Sequence, residues 1–365
     1  MNIAYFMHSL VSCWNHGNAH FLRGIVRELL ARGHDVQVFE PQDGWSRTQL
    51  LQEQGATSLN LFHTRFPELR SICFGGDADL SAMVDGADLV IVHEWTEPRV
   101  VARLNRIRKD HGKFLLFFHD THHRAVSDPE VMTRYDIAAF DGVLAFGAIL
   151  RDIYGRAGWG ARAFVWHEAA DTKLFCPPHQ PGERDGLVWI GNWGDDERSE
   201  ELRTFLLEPV AALGVSLDMY GVRYPSRALA LIELQGARYR GWLPNSEVPT
   251  VFSRHSATVH VPRRFYGREL PGIPTIRVFE ALACSIPLVC SPWDDVEGLF
   301  EPGRDFLIAR DSAEMTRHLA LLMSDEAMRE SLIAHGLSTV LTRHTCAHRV
   351  DELLQIVGRV GGGAL

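Results

Sequence analysis

Three histidines, an aspartate and an arginine crowd into the run FFHDTHHR, as His119, Asp120, His122, His123 and Arg124. The apolar residues ahead of them read as a buried strand that delivers a polar loop at its carboxyl end, where open α/β sheets keep their active sites. Imidazole and carboxylate in that position can hold a substrate hydroxyl or move a proton. They are also metal ligands, but histidines in a loop lack the i, i+4 helical spacing that turns two ligands toward one ion, so no metal site is expected. His119 and Asp120, next to the strand end, are the candidate catalytic residues, with Asp120 available as a base. His122 and His123 are as readily explained as solvated loop residues. The run VIVHEW repeats the arrangement more weakly at His93 and Glu94.

Three further loops suit anion binding, because helix N-termini present backbone N–H groups that no carbonyl of the helix satisfies. In SLVSCWNHGNAHF, Gly17 and Asn18 precede a helix, although a plain strand-to-helix turn explains them equally and no GxGxxG is present. In WIGNWGDDERS, Asn192 occupies the turn after a strand and Arg198 lies beyond it. A guanidinium there can grip phosphate oxygens in bidentate fashion. The competing reading is a surface arginine among Asp195, Asp196 and Glu197. The richest stretch is HVPRRFYGRELPGIPTIRVFEALACSIPLVCSPW, where a Gly and Pro turn opens a helix returning to a buried strand. Thr275, Ile276 and Arg277 would face an anion, with Arg264 nearby. Glu280, a turn further in and beside apolar neighbours, can accept hydrogen bonds from vicinal hydroxyls or pair with Arg277 or Arg264.

The elements that must position these loops follow the βα pattern. Strands are expected at 2–7, 34–39, 87–93, 113–118, 142–145 and 163–166, and then at 187–190, 216–220, 257–260, 287–290 and 306–308. Between the first two, Leu22, Ile25, Val26, Leu29 and Leu30 recur at helical spacing. A helical stretch is expected over 197–213. The chain therefore reads as α/β, with a Rossmann-like domain over 1–170, a Pro-rich linker over 171–184 and a second Rossmann-like domain over 185–340. A C-terminal helix and tail over 341–365 is a candidate to pack back on the first domain.

Composition narrows the partners. A formal net charge of -9 argues against binding the phosphate backbone of nucleic acid. The six cysteines have no CxxC or regular spacing and read as reduced thiols of a cytoplasmic protein. No apolar run reaches the roughly 20 residues of a membrane span, and no basic leader precedes the first strand.

RVFEALACSIPLV resembles the carboxyl-half signature of GT-B glycosyltransferases related to family 4, in which a Glu on this helix grips the nucleotide ribose. RHTCAHRVDELL, with His344, Thr345, His348 and Arg349, resembles the ending of the CgeB-like branch, bacterial proteins described as spore maturation proteins or glycosyltransferases. RGIVRELLARGHDVQVFEP resembles the usual first βαβ unit, and FFHD falls where that group carries a donor-contacting His. The resemblance implies two doubly wound domains facing across a cleft, with the acceptor on the first and a nucleoside diphosphate sugar on the second. It implies Glu280 as ribose ligand, His119 as donor-sugar contact and Arg198 as diphosphate ligand. Family 4 enzymes commonly carry a second acid eight residues before that Glu, and here the position is Gly272.

The function these readings imply is metal-independent transfer of a sugar, with retention, from a nucleoside diphosphate sugar to a glycan, lipid or protein. No cofactor is expected beyond that donor. A sugar-nucleotide epimerase on the same fold and a non-catalytic binding subunit are the alternatives.

Overall fold

A computed structural model describes residues 1–110, 112–158, 162–179, 182–194 and 197–362. It divides into two compact units, Met1–Glu168 with Cys346–Leu365, and Ala169–Thr345. Part of the Pro-rich segment expected as a linker, the acids Asp195 and Asp196, and the last residues of the tail lie outside the described residues.

The first unit holds β1 (Asn2–Phe6), β2 (Asp35–Pro41), β3 (Ile72–Phe74), β4 (Leu89–His93), β5 (Leu115–Asp120), β6 (Gly142–Ala145) and β7 (Ala163–Val165). They form one sheet in the order β3-β2-β1-β4-β5-β6-β7. Every pairing is parallel, with Ile3 opposite Val36 on one side and Leu89 on the other. LVIVH of β4 is buried throughout, as a parallel strand covered by helices on both faces must be. The Ala19–Ala31 helix buries Leu22, Ile25, Val26 and Leu29. The Cys346–Val360 helix is tied to this unit: Arg32 donates to the Ala347 carbonyl at 2.9 Å, and the Trp166 indole to that of Arg349 at 2.7 Å.

The second unit repeats the plan with β8 (Leu187–Ile190), β9 (Leu217–Tyr220), β10 (Arg238–Gly241), β11 (Ala257–His260), β12 (Leu288–Cys290) and β13 (Leu307–Ile308), in the order β10-β9-β8-β11-β12-β13 and again parallel. Its core joins Leu187, Leu217, Val259 and Val289 to Met315, Leu319 and Leu322 of the Ser312–Ser324 helix.

Two strands escape the periodicity. β3 is a three-residue edge strand, and β10, RYRG, is largely exposed and carries no apolar run. The stretch expected to be helical from 197 starts at Ser199 and includes a π-helical turn at Arg203–Leu207. Strand order reverses at β1/β4 and at β8/β11, the two places where a doubly wound sheet opens a crevice at its carboxyl edge. No helix of the described residues is long and apolar enough to cross a membrane.

Candidate functional site

At the β8/β11 reversal, Arg198 turns inward. Its guanidinium donates to the Val261 carbonyl at 2.8 Å and to the Asn192 carbonyl, bridging the loops after the two strands. The Cζ lies 5.2 Å from the centre of the Trp189 ring. Burial, with Arg263 adding to it, lowers Arg198 to about 10, so it keeps its charge at neutral pH. Its Nε is buried and meets no acceptor among the described residues. Asn192 is also engaged, its Oδ1 accepting from the Val222 N–H at 2.9 Å.

His260 ends β11 and is buried. Its Nε2 lies 2.9 Å from Thr275 Oγ1, while its Nδ1 has no partner among the described residues. Burial, reinforced by Arg198 and Arg277, lowers its pKa to about 3, so the ring is neutral. Thr275 is the N-cap of the Ile276–Ala283 helix, and no side chain caps that N-terminus. Glu280 is fully buried on this helix, ion-paired with Arg277 and accepting from Asn245 Nδ2 at 3.1 Å. Three arginines therefore gather beside one helix N-terminus, where backbone N–H groups already favour an anion. Arg263 completes the group, paired with Glu197 at 3.3 Å.

At the β1/β4 reversal the first unit assembles a buried polar network. Tyr5 Oη lies 2.7 Å from His119 Nδ1, and His93 Nε2 3.1 Å from Thr121 Oγ1. Thr121 donates to Glu94 at 3.1 Å, and Arg124 pairs with Glu94 at 2.9 Å. Asp120 accepts from Tyr154 Oη at 2.8 Å and from the His122 N–H at 2.9 Å. Burial pushes Asp120 up to about 6 and Glu94 up to about 8, the second against the pull of Arg124. It also pushes His119 down to about 3 and His93 well below the usual imidazole range. Among the described residues no group of three His, Cys, Asp or Glu side chains is placed to hold a metal ion.

Residues 198–355 match the glycosyl transferase-like family. The whole chain carries the GT-B fold of glycosyltransferases. Sucrose-phosphate synthase from Thermosynechococcus elongatus superposes with a TM-score of 0.69 at 14% identity, over 100% of both chains. HepE from Anabaena, in complex with UDP-glucose, gives 0.69 at 12% identity over 98% of this chain and 100% of its own. T4 phage beta-glucosyltransferase gives 0.61 at 14% identity over 99% of each. No curated protein sequence matches the chain.

Within the glycosyl transferase-like segment, the residues singled out from sequence separate into two groups. Arg198, Thr275, Ile276, Arg277 and Glu280 gather at the reversal with Asn192 beside them. Arg264 does not join them: it is exposed and pairs with Glu201 at 3.0 Å. Gly272 cannot hold an acid as it stands. Its φ is +90°, and a Cβ there would come within 2.7 Å of Val296 Cγ2.

In the first unit, Asn18 precedes the Ala19–Ala31 helix and its Nδ2 donates to Thr121 Oγ1 at 2.5 Å, tying the β1 loop to the β5 loop, while Gly17 is exposed. His119 and Asp120 sit in the core of the network. His119 is enclosed by Tyr5, Phe21, His93 and Trp166, with Nε2 lacking a partner among the described residues. His16, His260, Asn245 and Arg263 were not anticipated. His260 was within reach of the strand-end rule that drew attention to His119.

Proposed function

We propose that this chain is a glycosyltransferase that takes its sugar from a nucleoside diphosphate sugar, bound at the β8/β11 reversal of the second unit. The observation that carries this reading is the convergence of half-buried Arg198 and Arg277 and buried His260 on the N-terminus of the Ile276–Ala283 helix, which no side chain caps, with Arg198 Nε and His260 Nδ1 buried and lacking partners among the described residues. A diphosphate satisfies such a cluster: its oxygens accept from the guanidinium and the backbone N–H groups, and its charge offsets the arginines. Glu280 then receives the ribose hydroxyls. As the bond to the sugar breaks, negative charge grows on the leaving diphosphate, and these preorganised cations stabilise it without a metal ion.

The relatives' complexes with UDP-glucose support a uridine diphosphate sugar as donor. Retention is favoured over inversion by Asp120, since both of its oxygens are engaged within the first unit and the group is buried. RVFEALACSIPLV and the surroundings of Glu280 support placement near family 4 and its CgeB-like branch. None of the six cysteines is in a disulfide, which suits a cytoplasmic setting.

The test is calorimetry with UDP, GDP and ADP, followed by incubation of the matching glucose donors and measurement of released diphosphate. One nucleotide should bind, and Arg277→Ala should weaken it by about tenfold, the scale of one charge-assisted contact. Failure of all three to bind would reject the reading. Release of an isomerised nucleotide sugar with no transfer would instead favour an epimerase.

A further inference from the structure

Trp95 stands two residues beyond the end of β4 with 40% of its surface exposed. The indole is nevertheless held in place. Arg124 Cζ lies 4.1 Å from its ring centre, the His122 ring packs edge-on at 5.1 Å and the His8 ring at 6.0 Å. Its backbone N–H reaches His93 Nδ1 at 3.4 Å. An indole held in one orientation at the surface presents a flat apolar face beside polar groups, the kind of surface an amphipathic ligand can use.

A second feature lies beside it. The His8 ring is 4.9 Å from that of His16, which is 6.4 Å from that of His93, so imidazoles run inward from the indole. His16 is only 6% exposed, and its Nε2 has no hydrogen-bond partner among the described residues. Burial lowers His8 to about 4 and His16 well below the usual range, so both rings are neutral at physiological pH. Each neutral ring offers one donor and one acceptor.

We propose that this face of the first unit binds a carbohydrate, and that the acceptor of the transfer reaction is a sugar hydroxyl. The second clause rests on the glycosyl transfer reading above. A pyranose presents a face of C–H groups to the indole and hydroxyls that both donate and accept to the imidazoles. A lipid chain needs apolar surface along its length, whereas the packing partners of Trp95 are imidazoles and a guanidinium. A charged peptide needs an uncommitted charge, and Arg124 is paired with Glu94 at 2.9 Å.

The full chain and its W95A, W95F and H16Q variants are examined by saturation-transfer NMR with maltotriose, cellotriose and chitotriose. Vesicles of phosphatidylglycerol serve as the lipid arm, and UDP calorimetry is run in parallel. At least one trisaccharide should bind. W95A should weaken it by about tenfold, as loss of an aromatic anchor does. W95F should retain most of the binding, H16Q should weaken it, and UDP affinity should not move. No trisaccharide binding to the wild type, equal binding to W95A, or vesicle binding that W95A abolishes would overturn the proposal. Trp95-dependent sugar binding without any UDP binding upholds the carbohydrate face and rejects the transfer reading alone.

Discussion

His260 Nε2 lies 2.9 Å from Thr275 Oγ1, which ties the carboxyl end of β11 to the residue that opens the Ile276–Ala283 helix. The hydrogen bond crosses from the strand to the proposed diphosphate site, and the threonine hydroxyl, engaged there, makes no cap to its own helix. The backbone N–H groups at the helix start are thereby left for a ligand. His260→Ala releases Thr275 to cap the helix, so UDP affinity should fall about tenfold while uridine binding changes little. Calorimetry with both ligands checks this. An equal loss for uridine would mean that His260 supports the fold of the site in general and has no particular bearing on the phosphates.

Glu280 carries two loads that one substitution can separate. It neutralises half-buried Arg277 and is proposed to accept from the ribose. Glu280→Ala should destabilise the protein by about 1–3 kcal/mol, because half-buried Arg277 and buried Asn245 lose their acceptor. Glu280→Gln keeps the shape and the bond to Asn245. In the wild type UDP should bind more tightly than 2′-deoxy-UDP, and in Glu280→Gln the difference should shrink. A wild type indifferent to the 2′-hydroxyl removes the ribose role, whatever the melting temperature does.

Gly272 makes a sharper prediction than its missing carboxylate suggests. At φ +90° a glycine is comfortable and an L side chain is strained, and the space a Cβ needs is occupied by Val296. Gly272→Glu should therefore lower stability by about 1–3 kcal/mol and fail to raise turnover. Thermal melts and donor hydrolysis measured together decide it. A variant as stable as wild type and faster would show that the turn yields and that the acid was the missing part.

The parts of this architecture legible from sequence are those where burial leaves a mark on composition. β4, β8 and β11 are buried throughout and read as apolar runs. β10 has only edge pairing to stabilise it, so RYRG carries no such mark. Site residues show the same divide. His260 could be found because it ends a strand. Asn245 could not, since its link to Glu280 spans 35 positions and arises only when the short helical turn at Asn245–Glu247 packs against the Ile276–Ala283 helix. Arg198 seemed as well suited to the surface, and its inward turn depends on carbonyls of Asn192 and Val261 that the fold brings together.

The buried imidazoles of the first unit set the sign of its response to acid. His8 lowered to about 4, His119 to about 3, and His16 and His93 lowered well below the usual value all start from an unfolded value near 6.5. Between those values the unfolded chain binds protons that the folded one refuses, so each ring contributes stability that is present above about pH 6.5 and is lost as pH falls. Glu94 raised to about 8 and Asp120 raised to about 6 work the other way, since the folded state holds their protons longer. Four imidazoles oppose two carboxyl groups, so the melting temperature should fall as pH is lowered from about 6.5 to 5. Each imidazole has a limiting slope of about 1.4 kcal/mol per pH unit. His119→Asn cannot take up a proton in either state, and its melting temperature should fall less steeply over that range. Above pH 6.5, where the imidazoles are silent, Glu94→Gln should remove the decline in stability that the wild type shows toward pH 8. Parallel slopes for wild type and both variants would mean that the network takes up protons without unfolding, and that its rings are reached by water.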